Sequence, residues 1–272
     1  MKIIKYLTLV FLFALFSCET SQKNTQSSHF LVHGEAEALA GEHVLLFQNQ
    51  TVFSSRVVDT ILVNQDGEFR FSVDDSLNFN YTLRSKKIEQ ELYLKPNGSL
   101  NIRLLPENPT QFEGSLGAEN TYLQTKKQLK IQFINQALYQ LSEVDFEHKT
   151  VQLRKTFLQA LKKAPLTLEF QTRERLAIDY ILASLFLNYP YVNQSIIEGK
   201  SKLSTAFKSK IDNYIVELDG GMHVSEYADF FSYLVLYEVQ SNAKFNQLSV
   251  ETAVKHYFKN PENQYLLMKM LF

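Results

Sequence analysis

The sequence predicts an α+β protein whose two kinds of structure are segregated along the chain: an N-terminal antiparallel β-sandwich followed by an all-α helical domain. Three observations predict it. From Phe30 to about Phe112 the chain reads as short strands parted by turns, several of them alternating polar with apolar residues in the period of a half-buried strand. Beyond Gly117 they recur three and four residues apart, the stripe of a core-facing helix. The change falls at Gly114 to Gly117, and a strand block followed by a helix block argues against a parallel α/β sheet.

The strand half is read in order. Phe30-Leu31-Val32 is a short apolar run, His43 to Phe47 is a second, and Arg56 to Val63 is a third, rich in β-branched residues. Asn64-Gln65-Asp66-Gly67 is a turn, because Asp and Gly favour the tight backbone it needs. Glu68-Phe69-Arg70-Phe71-Ser72-Val73 alternates polar with apolar. Phe79, Tyr81 and Leu83 do the same, as do Leu92 and Leu94 up to the turn Pro96-Asn97-Gly98. Leu100, Ile102 and Leu104 share one face.

The helical half follows. Tyr122, Leu129, Phe133, Ala137, Leu141 and Val144 fall close to a single face. Val151, Phe157, Leu158 and Leu161 suit a second helix stopped before Pro165. Leu168 to Tyr189 reads as a long buried helix ended by Pro190. Leu203, Phe207, Ile211, Tyr214, Ile215 and Leu218 form another stripe, terminated by Asp219-Gly220-Gly221. Ser225 can cap a helix carrying Tyr227, Phe230, Phe231, Leu234 and Tyr237. Ser249 can cap one carrying Val250, Val254, Tyr257 and Phe258. Such stripes are ordinarily core rather than a ligand groove. The sequence carries no convincing internal repeat, and the domains expected are 29–116 for the sandwich and 117–272 for the helices.

The first 28 residues differ from the rest. Lys2 and Lys5 precede the apolar run Tyr6 to Phe16, which is shorter than the roughly 20 residues a membrane span requires. Cys18, the sole cysteine, follows Leu15-Phe16-Ser17. This arrangement resembles a bacterial lipoprotein signal, which implies a cleaved segment 1–17 and a lipid on the Cys18 thiol. An ordinary secretory signal with a chance cysteine is the rival reading. Residues 18–28 hold no hydrophobe beyond the cysteine and read as a polar, flexible tether. A lone cysteine also forbids an internal disulfide, so stability is expected from packing.

Charge excludes one class of partner. The formal net charge is −1, and removal of Lys2 and Lys5 with the signal takes it to −3. No block of Lys or Arg stands out, so nucleic acid is not an expected partner.

Several stretches resemble one family. Phe30-Leu31-Val32-His33-Gly34, then Val57-Val58-Asp59-Thr60 to Asp66-Gly67-Glu68-Phe69-Arg70-Phe71, then Tyr93-Leu94-Lys95-Pro96-Asn97-Gly98-Ser99-Leu100 form its strand-and-turn pattern. Phe112-Glu113-Gly114 to Asn120-Thr121-Tyr122-Leu123 forms its passage into helices. Over about 28 to 125, the chain resembles the N-terminal region of thiol-disulfide oxidoreductase lipoproteins of Bacteroidota. These are TlpA/ResA-like in their thioredoxin-like C-terminal half. The lipoprotein-like signal implies an envelope address at the outer membrane, and because only Glu19 follows Cys18, where surface lipoproteins of related bacteria carry an acidic run, the face expected is the periplasmic one. The family resemblance does not bring the activity: that chemistry needs two thiols, one to attack and one to resolve, and this sequence has no Cys-x-x-Cys pair.

Other chemistry is equally thin. His29 and His33 lie four apart, roughly 13 Å in extended chain at about 3.3 Å per residue, too far to share an ion. His43 could approach across a sheet. His148, His223 and His256 lack a partner at ligand spacing. Asp74-Asp75 fits a turn between strands better than an acid/base pair or a calcium ligand. Gly114-Ser115-Leu116-Gly117 lacks the Gly-x-Ser-x-Gly spacing of a nucleophile elbow, and the glycines of Asp219-Gly220-Gly221 suit a helix end better than an oxyanion loop. No catalytic, cofactor or metal residue is therefore expected, and Cys18 is the one site residue, for lipidation. The expected function is a non-enzymatic, lipid-anchored envelope protein that binds or scaffolds as an accessory to thiol-redox proteins, with a membrane contact through its anchor and an envelope protein as partner. The alternative is the non-catalytic part of a thiol-disulfide oxidoreductase whose thioredoxin domain is lost or separately encoded. A third reading, a hydrolase with an unfamiliar site, needs a deep pocket with converging polar groups.

Overall fold

The computed structural model describes residues 29–51, 54–74, 79–105, 109–217 and 224–241, together with the single positions 252, 261, 264, 265 and 268. Cys18, the signal, the tether, Asp75, His223, His256, Asp219-Gly220-Gly221 and the Ser249 cap lie outside the described residues. The protein is a mixed α+β fold in which two four-stranded sheets precede the α-helices.

Eight strands are described: β1 His29–Glu35, β2 His43–Thr51, β3 Ser54–Leu62, β4 Glu68–Asp74, β5 Phe79–Arg84, β6 Glu89–Leu94, β7 Ser99–Arg103 and β8 Gln111–Glu113. One sheet has the order β4-β1-β7-β8, the other β3-β2-β5-β6. The pairing is antiparallel except for β1 with β7, which run parallel in the register Val32 to Leu100. That exception has a topological cause. The chain leaves β6 in one sheet and enters β7 in the other, alongside β1 and in the same direction.

The expected turns form, and their chemistry explains them. Asn64 Oδ1 accepts from the Glu68 N–H (2.7 Å), and Gly67 takes a φ of 80°. A Cβ at Gly67 would fall 2.8 Å from Glu37 Cα, so a side chain fails there on space as well as conformation. In the second turn, Asn97 takes the left-handed conformation at φ 60°, which Asn tolerates better than most residues.

Seven α-helices follow among the described residues: α1 Gly117–Phe133, α2 Gln136–Tyr139, α3 Glu143–Lys163, α4 Leu168–Val192, α5 Gln194–Ile197, α6 Thr205–Glu217 and α7 Tyr227–Ser241. The single stripe expected from Tyr122 to Val144 is three helices. Asn135 and Ser142 break it, each turning its side-chain oxygen back on the backbone, to Leu138 N–H and Asp145 N–H. Asn and Ser compete in this way with helical hydrogen bonding. The long helix runs past the expected stop, because Pro190 sits within its last turn.

Burial shows how the two halves meet. β7 alternates strictly, with Leu100 and Ile102 inside and Ser99, Asn101 and Arg103 exposed. β6 begins that way but ends Leu92-Tyr93-Leu94, all buried. Its second face is covered by helices: the Tyr93 ring packs edge-on against Phe170 of α4, with centroids 4.8 Å apart. Asn120, fully buried on α1, accepts from the Tyr93 N–H (2.9 Å) and donates to the Tyr93 carbonyl (3.0 Å). A helix side chain thus takes the place of a neighbouring strand at that residue. Apolar side chains from both sheets and from the helices form one buried cluster.

Candidate functional site

Two places in the helical half hold more than ordinary packing. The first is a buried charge cluster. Lys126 projects from α1 at the position four after Tyr122, on the helix's inner face. Its Nζ lies 2.8 Å from Glu174 Oε2 on α4 and 2.8 Å from Glu226 Oε1 just ahead of α7. All three side chains are at most 5% exposed. Ser225 Oγ donates to the other Glu226 oxygen (2.9 Å). Glu91 on β6 adds a further negative field at Lys126.

The electrostatics are unequal. Burial alone would lower the Lys126 pKa, but Glu174, Glu226 and Glu91 more than reverse this and hold the ammonium charged. Burial pushes the Glu174 carboxyl above its ordinary value despite Lys126. At Glu226 burial acts the same way, but Lys126, Lys130 and the Ser225 hydroxyl together overcome it and hold the pKa low. Tyr93 is pushed up to about 12, first by burial and then by Glu169. A protonated ammonium gripped by two carboxylates is neither a base nor a nucleophile. The cluster's evident task is to join three helices.

The second place is a groove of about 560 Å³ between α3, α4 and α6, within the usual size for small-molecule sites. Val151, Leu182 and Phe186 give it an apolar lining. Ion pairs cross its walls: Arg154 of α3 with Asp179 of α4 at 3.1 Å, and Lys210 of α6 with Glu147 of α3. Val151 stands 68% exposed at its rim.

The residues weighed from sequence do not converge. His29 and His33 lie on β1, facing Asp74 and Arg70 of β4, while His43 lies on β2 opposite Leu62 in the other sheet. His148 is on α3. No group of three metal-ligating side chains occurs among the described residues. Ser115 Oγ accepts from the Ser99 N–H (2.9 Å) and so fastens β7 to the helix entry. No helix among the described residues is long and apolar enough to cross a membrane.

The Lys126 cluster was not anticipated from sequence, since its members stand far apart in the chain. A local signal existed: Lys126 interrupts the apolar stripe Tyr122–Leu129, and Glu174 interrupts Phe170–Ile178. A charge in the middle of an inward stripe calls for a buried partner. The comparison with protein-family models, curated proteins and solved structures finds no match for this chain.

Proposed function

We propose that this chain is a lipid-anchored protein of the cell envelope, facing the periplasm, that binds or scaffolds a partner and performs no chemistry of its own. In this reading Cys18 carries the lipid and 18–28 is the tether. The two sheets face one another as a β-sandwich, and the helices form the segregated domain beyond it. The stretches from Phe30 to Leu123 that resemble thiol-disulfide oxidoreductase lipoproteins support this reading, with an envelope protein as the partner.

The observation that carries the binding role is the groove between α3, α4 and α6. Its apolar lining offers affinity, and its paired charges offer orientation to whatever displaces them. The charged residues of the buried cluster are sealed from any partner, so binding falls to the groove.

The test is affinity capture from solubilised envelope with the native protein and with Val151→Arg. The substitution adds a cation at an exposed rim position without entering the core. A protein enriched by the native chain and lost with Val151→Arg, at an unchanged melting temperature, is the expected outcome. Recovery of the same set by both proteins refutes the groove, and recovery of nothing specific refutes the binding role. Mass spectrometry of the N-terminal peptide tests the anchor: an unmodified Cys18 thiol refutes it.

A further inference from the structure

The buried cluster has an odd count of charges. One ammonium, Lys126, faces two carboxylates, Glu174 and Glu226, at equal distances of 2.8 Å. With all three ionised, the interior carries an excess negative charge, and an uncompensated buried charge is strongly unfavourable. The surroundings offset it only in part. From β6, Glu91 adds negative field at Lys126, and its Oε1 is itself buried with no hydrogen-bond partner. Also from β6, Tyr93 presents a phenol held neutral. From α1, Lys130 acts on Glu226, and the Tyr122 hydroxyl is buried without a partner. On α4 itself, Arg173 favours the Glu174 anion, yet its guanidinium donates to Asn80 and lies over the Tyr93 ring, 5.4 Å from the centroid.

The position of the cluster gives the imbalance a mechanical consequence. α1 and α4 are tied to the sheet through Asn120 and Phe170, whereas α7 joins them at the cluster and through the Tyr180–Tyr227 and Tyr180–Phe230 ring contacts. We propose that the cluster is a proton-operated clamp: a proton on Glu174 balances the charges and tightens the seam between α7 and the α1–α4 pair, and loss of that proton loosens it. This inference is independent of the groove and of the anchor.

Glu174 is the carboxyl that takes the proton: Glu226 receives a second donor, the Ser225 hydroxyl at 2.9 Å, which favours its anion, whereas Glu174 has Lys126 as its hydrogen-bond donor and burial pushes its pKa up. The sign follows from linkage. A carboxyl that binds its proton more tightly folded than unfolded adds stability that is fully present below its ordinary value of 4.5. That stability is lost as pH rises through the folded value.

The experiment compares the full-length protein with Glu174→Gln, whose neutral amide imitates the protonated acid and leaves the Lys126–Glu226 pair intact. Urea midpoints are measured from below 4.5 to above neutrality, with amide hydrogen exchange of Tyr227–Ser241 corrected for intrinsic rates. The two proteins are expected to match in acid, and the native protein to fall behind as pH rises. The opening of α7 in the native protein should increase about tenfold for each unit by which the folded value exceeds the ordinary one. A midpoint difference that stays constant with pH, or that favours the native protein at high pH, overturns the clamp. Infrared spectroscopy of the native protein decides the matter even where the variant does not fold. A buried protonated-carboxyl band persisting above pH 4.5 supports the proposal, and its absence overturns it.

Discussion

Gly34 shows how much one missing side chain can matter. It sits on β1 opposite Phe69 of β4, and a Cβ there would lie 1.9 Å from the Phe69 ring carbon Cζ. The aromatic ring occupies the space that any other residue would need. Phe69 in turn is only 5% exposed and has little room to withdraw. Gly34→Ala is therefore expected to destabilise the fold by about 1–3 kcal/mol, the usual range for overpacking a tight core. A lowered urea midpoint with an unchanged slope would show it, and an unchanged midpoint would show that the ring relocates freely. The sequence reads a strand at Phe30-Leu31-Val32, two residues short of Gly34, and cannot place Phe69 over Gly34, because that contact depends on the pairing register.

At the scale of elements, local chemistry sets the boundaries that periodicity misses. α3 starts at Ser142, which accepts from the Asp145 N–H (3.2 Å) and donates to the Asp145 carboxylate (2.7 Å). Glu143 and Asp145 favour that end and Lys162 and Lys163 the other, as the helix dipole requires. Ser142→Ala should cost about 1 kcal/mol, read as a fall in thermal midpoint. The Ser-x-x-Asp pattern was present in the sequence, but the apolar stripe from Tyr122 to Val144 runs through it and masks the break. The strands were more legible. From Glu68 to Ser72 and from Leu100 to Leu104 one face meets core and the other solvent, so alternation survives in the residues themselves. β8 was not legible, because Gln-Phe-Glu is too short to carry a period. The Lys126 cluster was legible only as isolated charges interrupting apolar stripes at residues 126 and 174, since nothing local relates residues 126, 174 and 226 to one another. The groove between α3, α4 and α6 depends on how three helices pack, which the stripes alone do not specify.

For the molecule as a whole, the buried carboxylates give acid a specific point of attack. Glu226 is held below its ordinary value against the cost of burial. Its contribution is therefore present above pH 4.5 and is lost as pH falls through the folded value. The urea-midpoint advantage of the native protein over Glu226→Gln is expected to shrink as acid is added below that point, the reverse of the behaviour expected at Glu174. An advantage that is independent of pH would mean that Glu226 contributes through packing alone. The side-chain amide of Asn120 has a broader consequence. By meeting both main-chain groups of Tyr93, it closes the rim of the β3-β2-β5-β6 sheet where an extended segment from a second molecule could otherwise add on. Edge-to-edge self-association is thereby blocked at this rim, through one residue that belongs to a helix rather than to the sheet it guards.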